Sequence, residues 1–386
     1  MRALLSATCL AAVSLAGSSA TPLSAQERAA RPDQVMVRHP RTGAVQTTSG
    51  IIESNSLDEL KLTGRNGKEE TFDALLVQRV QFGEVPSAFT EAQNYLDRGD
   101  FANAAASFSA AAGDDQTREV VRAAARLRAA ETLLLEGATD PSAFDQAASE
   151  AGRFIGDHPN NRELPQARMT QARAHHLAGR PAEAAALYRT LYQEASGSSA
   201  TAGYPLELCY QAGVRAAQAY IEANDVSQGR ELYKAVAGAL PAVVAEVSDE
   251  TSAALQVLQA QAVLGEGFSM LAEGRASNAR AFFESQISAG ADAGSALRYG
   301  ARHGLAEALF VEGRFREAQL EFAAVSGLDH TDRDRVARCL LGMARCSLSL
   351  GESNATSQAR KWLEALRDHH GDTPSGPEAL EMLKNL

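Results

Sequence analysis

Apolar and polar positions alternate along the first part of this 386-residue chain and change to a helical period after Pro86. Between Val35 and Phe82, "VMVR", "GAVQTTSGIIES", "DELKLTG" and "ETFDALLVQRVQF" are short alternating or β-branched runs, parted by the turn stretches "RTG" and "GRNGK". Period two with Gly and Asn punctuation predicts strands joined by tight turns. Asn66-Gly67 is the sharpest signal, since both residues tolerate the positive φ of a hairpin turn. Four or five such strands predict a small barrel or curled sheet over residues 35–85. Residues 87–386 read instead as a succession of apolar helices broken by glycine or turn clusters.

The helical region repeats. Aligned on a turn residue, Gly99 is followed by Phe101, Ala104, Phe108 and Ala111, and Gly179 by Pro181, Ala184, Tyr188 and Leu191. Asn224 precedes Val226, Gly229, Tyr233 and Val236; Gly274 precedes Ala276, Ala279, Phe283 and Gln286; Gly313 precedes Phe315, Ala318, Phe322 and Val325. The offsets are +2, +5, +9 and +12 each time. At about 100° per residue these positions share one helix face. Seven residues before each turn the residue is small (Ala92, Ala172, Ala217, Gly267, Ala306), and four before it is usually larger (Tyr95, His175, Tyr220, Met270, Leu309). A turn glycine can adopt the left-handed conformation that ends a helix. Alanine at +5 lets two backbones approach, and the aromatic at +9 fills the space beside the contact. Each unit is therefore an antiparallel helical hairpin.

This pattern resembles the tetratricopeptide repeat, over roughly residues 90–385. The resemblance implies a right-handed α-solenoid of about six to seven hairpins, with Pro241 at the place of a repeat-closing proline. Two hairpins are degenerate: Ala130–Phe154, interrupted by "GATDPSAFD", and Ala344–Leu366, with an insertion before Ala359. Successive turns at 99, 137, 179, 224, 274, 313 and 351 are 38 to 50 residues apart. The usual repeat is about 34, so helices or linkers are longer and curvature is irregular. "FIGDHPNN" resembles the outline of envelope-associated bacterial members. The strand order of 35–85 resembles Sm-like or SH3-like small barrels, which often bind RNA or peptides; a structural or docking role is expected here.

Composition narrows the class. With 45% hydrophobic and 22% charged residues the chain folds, and its few aromatics (6%) among many alanines point to helix. Arg2 followed by "ALLSATCLAAVSLAG" and small-x-small sites ending at Ala20 and Ala25 predicts a cleaved export signal over residues 1–25. The run is shorter than the roughly 20 residues a membrane span needs. A lipoprotein signal at Cys9 fits poorly, because Thr8 precedes it and the leader is short. Polar residues 26–34 read as a disordered leader, and no later stretch can cross a bilayer. Loss of Arg2 with the signal takes the formal charge from −11 to −12, which argues against nucleic acid as a partner. Cys339 and Cys346, seven apart on one helix and so about 10.5 Å apart, are beyond disulfide reach. They and Cys209 read as buried free thiols.

No catalytic or metal-binding constellation emerges. GxSxG, HExxH and GxxxxGK[ST] are missing, and "GEG" at 265–267 reads as a helix-packing site. The pairs His175-His176 and His369-His370 diverge by about 100° on a helix and chelate poorly. "DHTDRD" (329–334) reads as a solvated inter-hairpin turn, and Trp362 as core or capping-helix bulk. The resemblance implies a concave face carrying ligand-facing side chains six and ten residues before the turn: Arg173 and Met169, Gln218 and Val214, Phe268 and Leu264, Glu307 and His303. That mixture suits a protein or peptide partner. The sequence is thus expected to encode a non-catalytic exported scaffold, periplasmic or envelope-associated, without cofactor or metal. Alternatives are a peptide- or glycan-binding protein using the groove, or an unrecognised enzyme.

Overall fold

The computed structural model describes residues 31–196, 203–247, 249–289, 294–371, 373 and 375–386. The export signal expected over 1–25 lies outside the described residues. Five antiparallel strands come first: β1 (Asp33–Arg38), β2 (Val45–Asn55), β3 (Glu59–Thr63), β4 (Glu69–Asp73) and β5 (Val77–Gln81), in the order β4-β3-β2-β1-β5. A 3-10 turn at Ala74–Leu76 leads into β5. The strand β1 starts at Asp33, inside the span expected to be leader, because the Asp33 carboxylate ties it down: Ile52 N–H and Gly83 N–H each donate to it at 2.9 Å. Alternation aims Val35, Val37, Leu60 and Leu62 at one core with Ile52 and Val77. The long β2 serves two neighbours, β1 through Val45–Gly50 and β3 through Ile51–Asn55, with a register shift after Ile52. Gly43 and Gly67 sit in the tight turns with φ of +68° and +74°.

Among the described residues the solenoid follows as seven antiparallel hairpins and a closing helix. First and second helices are α1 (Ser87–Asp97) with α2 (Phe101–Ala112), α3 (Glu119–Glu136) with α4 (Ala143–Asp157), and α5 (Leu164–Leu177) with α6 (Pro181–Ser196). Next come α7 (Leu206–Glu222) with α8 (Val226–Val244), and α9 (Asp249–Ala272) with α10 (Ala276–Ala289). The last two are α11 (Ser295–Val311) with α12 (Phe315–Leu328) and α13 (Arg333–Leu350) with α14 (Ala355–His370), closed by α15 (Gly376–Lys384).

Six of the seven turn residues are left-handed: Gly99, Gly179, Asn224, Gly274, Gly313 and Gly351, with φ between +63° and +77°. Asn224 is the one non-glycine residue with positive φ among the described residues, and asparagine tolerates that region. The close-contact positions Ala104, Ala184, Ala279 and Ala318 are fully buried. At Gly229 a Cβ would come within 2.6 Å of the Ala217 carbonyl, which places the +5 position directly against the −7 position.

The +9 aromatics join neighbouring hairpins. A Cβ on Gly265 would lie 2.5 Å from the Tyr233 ring, on Gly304 2.3 Å from Phe283, and on Gly342 2.6 Å from Phe322. Each glycine stands nine residues before its own turn, so a wedge from one second helix seats on the following first helix. Gly267 likewise meets Phe283, so packing does explain "GEG".

Three expectations change. Gly137 is right-handed, at φ −55°; it is small because a Cβ there would lie 2.1 Å from the Phe144 ring, and α4 begins only at Ala143. Pro241 does not close a repeat, since α8 continues through it to Val244. The stretch 329–334 is solvated at His330, Thr331, Arg333 and Asp334, but Asp329 is buried and paired with the buried Arg335 at 2.7 Å, and Asp332 caps α13 through the Arg335 N–H. The capped turn draws the arginine inward, where only a carboxylate can satisfy it.

The sheet is docked onto the solenoid. Arg118, at the start of α3, donates two hydrogen bonds to Asp33, at 2.6 and 2.9 Å. Burial alone would raise the Asp33 pKa, but Arg118 and the two backbone donors outweigh it and hold it below the usual carboxylate value. The β2–β3 connection reaches the α4–α5 loop, where Leu57 N–H donates to the Asn160 carbonyl at 2.9 Å and Arg162 binds Asn55. Leu57 itself is buried with Leu164, Met169 and Tyr204.

Candidate binding groove

The first helices, set side by side, present residues 6, 10, 13 and 17 before each turn on one face, because steps of four and three return to the same side of a helix. On α3 and α5 that face meets the β sheet. Val120, 17 before the turn, packs against the sheet core, and Arg162, at the same offset in the loop just before α5, hydrogen-bonds Asn55. On α7, α9, α11 and α13 the face is open and forms a groove of about 1040 Å³.

Its floor is apolar: Val214 and Leu208 from α7, Leu258, Leu264 and Phe268 from α9. Val257 adds a side chain that is 44% exposed. Polar groups stand 13 before the turn, Gln211 on α7, Gln261 on α9 and Arg338 on α13, while the same position on α11 is Gly300. A Cβ on Gly300 would lie 2.4 Å from Leu264, so the missing side chain keeps the groove deep there. Asp334 and Arg335 close the α13 end, and Arg215, Gln218 and Glu222 the α7 end.

The eight candidate residues divide. Val214, Gln218, Leu264, Phe268 and His303 line the groove; Met169, Arg173 and Glu307 do not. Met169 lies in the cluster that includes Leu57 of the β module. Glu307 sits behind His303, with His303 Nε2 3.6 Å from its carboxylate, too long for a hydrogen bond. Burial pushes the Glu307 carboxyl up, but His303, Arg345 and Arg338 outweigh it and keep it below the ordinary value. Arg173 is exposed, next to the α7 end. The His303 imidazole is buried between Phe268 and Phe322, at ring-centroid distances of 5.7 and 6.1 Å. Several groove residues missed from sequence, among them Gln211, Gln261, Arg338 and Asp334, stand 13 or 17 before their turns. The signal for them is the spacing of 38 to 50 residues between turns, which lengthens the first helices and extends the ligand-facing stripe by two helical steps.

Elsewhere the polar chemistry is consumed locally. His175 Nδ1 lies 2.8 Å from Glu183, and His176 Nε2 contacts Glu222. Among the described residues no group of His, Cys, Asp and Glu could hold a metal ion. Cys209, Cys339 and Cys346 are buried and free; burial pushes the thiols of Cys209 and Cys346 up to about 12 and that of Cys339 higher still. Trp362 packs against the C-terminal core from α14, remote from the groove lining.

No protein-family model matches the sequence, and no curated protein matches it. Solved structures do. A tetratricopeptide repeat protein from Parabacteroides merdae aligns at a TM-score of 0.51 and 14% identity, over 77% of this chain and 98% of that one. NprR in complex with its cognate peptide NprX aligns at 0.44 and 13%, over 77% and 82%. PilW, a type IV pilus biogenesis factor, aligns at 0.39 and 14%, over 68% and 100%. The first of these, with the hairpin geometry above, makes the fold a tetratricopeptide-like α-solenoid preceded by a small antiparallel sheet.

Proposed function

We propose that this protein is a non-catalytic scaffold that holds a segment of another protein in the groove across α7, α9, α11 and α13. The observation that carries this reading is the open groove lined by four first helices, with an apolar floor from α7 and α9 and polar side chains at its edges and α13 end. A floor of that kind rewards aliphatic and aromatic side chains at roughly 25 cal/mol per Å² buried. A glycan reading has less support, since it needs flat aromatic platforms and Trp362 is elsewhere. The sequence reading adds export through residues 1–25 to the periplasm or cell envelope. In keeping with it, no helix of the described residues is long and apolar enough to cross a membrane.

We further read residues 35–85 as an SH3-like module and 87–386 as the solenoid. Support comes from β2 being shared between two pairings, from the 3-10 turn before β5, and from β5 returning to β1. Docked through Asp33 and Leu57, this module fills the concave face of the first hairpins and leaves the later ones to a partner.

A photo-crosslinking residue at Gln261, in the native envelope fraction, tests the groove. The expected product is one recurring protein adduct, lost on Phe268→Arg and not formed from the same probe at Leu320, an exposed outer position (71%). Identical adducts from both positions, or none from Gln261, would sink the proposal.

A further inference from the structure

Of the six left-handed hairpin turns, all but the last close with a single residue. One residue parts Gly99 from α2, Gly179 from α6, Asn224 from α8, Gly274 from α10 and Gly313 from α12. Between Gly351 and α14 there are three, Glu352, Ser353 and Asn354, and all are exposed. The added length does not improve the cap. Asp100 and Asp225 each accept a hydrogen bond from the first turn of their helices, whereas Asn354, in the same capping place, makes none. Asparagine is among the strongest N-caps, so one that does not cap calls for another reason.

Asn354-Ala355-Thr356 is the one Asn-x-Ser/Thr triplet in the 386 residues, and that triplet is the acceptor pattern for N-linked glycan transfer in secreted chains. The local structure suits it. Asn354 and Thr356 are exposed and neither side chain is engaged among the described residues, while Ala355 between them is buried. Amide and hydroxyl are thus both presented to solvent. The triplet spans the cap and the first two residues of α14, where backbone N–H groups lack intrahelical partners and helix ends fray. A transferase therefore reaches it at the loss of one helical turn.

The turn also lies where added bulk is tolerated. Glu352 contacts Arg316 on α12, one helical turn before Leu320, and Leu320 and Leu328 are 71% and 61% exposed. Arg338, which lines the groove, stands 13 residues before Gly351, about 20 Å away along α13.

We propose that Asn354 is an N-glycosylation site. Its Nδ2 displaces the diphosphate of a polyprenyl-diphosphate-linked sugar: the C1–N bond forms as the C1–O bond breaks, the diphosphate leaves with the electron pair, and one carboxamide proton goes to solvent. The glycan is bulky and solubilising; it covers the apolar outer face of α12 and leaves the groove free. The proposal rests on the export reading, because the acceptor triplet is used in secreted chains.

The test is peptide mass spectrometry of the full chain purified from the envelope fraction of its own host. The tryptic peptide Cys346–Arg360 should carry hexose or N-acetylhexosamine mass that fragmentation assigns to Asn354. Asn354→Gln and Thr356→Val should each abolish it, and Thr356→Ser should keep it. All three changes are at exposed positions and should leave the protein folded, which circular dichroism checks. Sugar mass that survives Asn354→Gln sits on a serine or threonine and overturns the assignment, as does sugar mass that survives Thr356→Val. The same spectra read the N-terminus, expected at Thr21 or Gln26. A cleaved chain with bare Asn354 overturns the glycan and leaves export standing; an intact N-terminus with bare Asn354 removes both.

Discussion

The two halves of the concave face carry the same helical scaffold and differ in what covers it. On α3 and α5 the face is occupied by the protein's own β module: Leu57 is inserted, Arg118 holds Asp33, and Arg162 holds Asn55. Glu131, six before its turn, is pushed up by burial there and takes a hydrogen bond from Gln166. On α7 through α13 most of the equivalent positions line an open groove, and Arg215 and Arg173 near its edge make no ion pair or hydrogen bond among the described residues. The same stripe of positions is thus structural in one half and available in the other. Position within the repeat alone does not decide function; what is docked on it does.

The largest expected effect concerns how the open half stands without a brace. Its hairpins are joined by wedges, so Phe322→Ala should cost about 3–5 kcal/mol in urea denaturation. Ala318→Phe, at the close crossing, should overpack by roughly 1–3 kcal/mol. Hydrogen exchange would locate the damage: protection should fall first in α11 to α15 while the β module keeps its own. Uniform loss over the whole chain would show that the two halves are not separable.

The covered half can be broken at its clamp. Arg118→Ala leaves the Asp33 carboxylate buried with only its two backbone donors, and should cost about 3 kcal/mol, the lower end for a broken buried pair because Arg118 is partly exposed. The sign of the pH effect follows. Asp33 is held below the ordinary carboxylate value of 3.8 in the folded state, so its contribution is complete above that value and lost as pH falls through the lower, folded one. The gap in stability between the two proteins should therefore narrow as pH falls below the ordinary carboxylate value. A gap that stays constant over this range would remove Asp33 from the clamp.

How much of this was legible in sequence differs between the halves for a physical reason. Hairpin turns and wedges are local: a glycine, an alanine five on and an aromatic nine on are set by helix geometry, and Asn224 could be placed because asparagine tolerates positive φ. The sheet was readable from period two and from Asn66-Gly67. Docking was not, because the Asp33–Arg118 pair joins residues 85 apart and neither carries a mark distinguishing it from a surface charge. The buried Asp329–Arg335 pair is local, six residues apart, and escapes a sequence reading only because neither residue carries a mark of burial. On the groove, the offsets of six and ten came from repeats with shorter helices, and the longer spacing here should have extended them to 13 and 17.

The smallest effects separate two uses of glycine that the repeat pattern blurs. At Gly313 a Cβ would meet nothing within 4 Å, and only the φ of +77° restricts the side chain. Gly313→Ala should therefore cost only the left-handed backbone penalty, about 1–2 kcal/mol, and Gly313→Asn less, since Asn224 already occupies the same place in its own hairpin with φ +65°. At Gly342 the backbone is ordinary helix and the obstacle is the Phe322 ring, 2.6 Å from a Cβ. Gly342→Ala gains up to about 1 kcal/mol of helix propensity but forces the wedge to move, so it should still destabilise. The cost should disappear in the Phe322→Leu background, where the ring is gone, whereas that of Gly313→Ala should not change. Denaturation of the four single and two double variants measures both couplings. If Gly342→Ala were equally costly in both backgrounds, the wedge would not be what joins these hairpins.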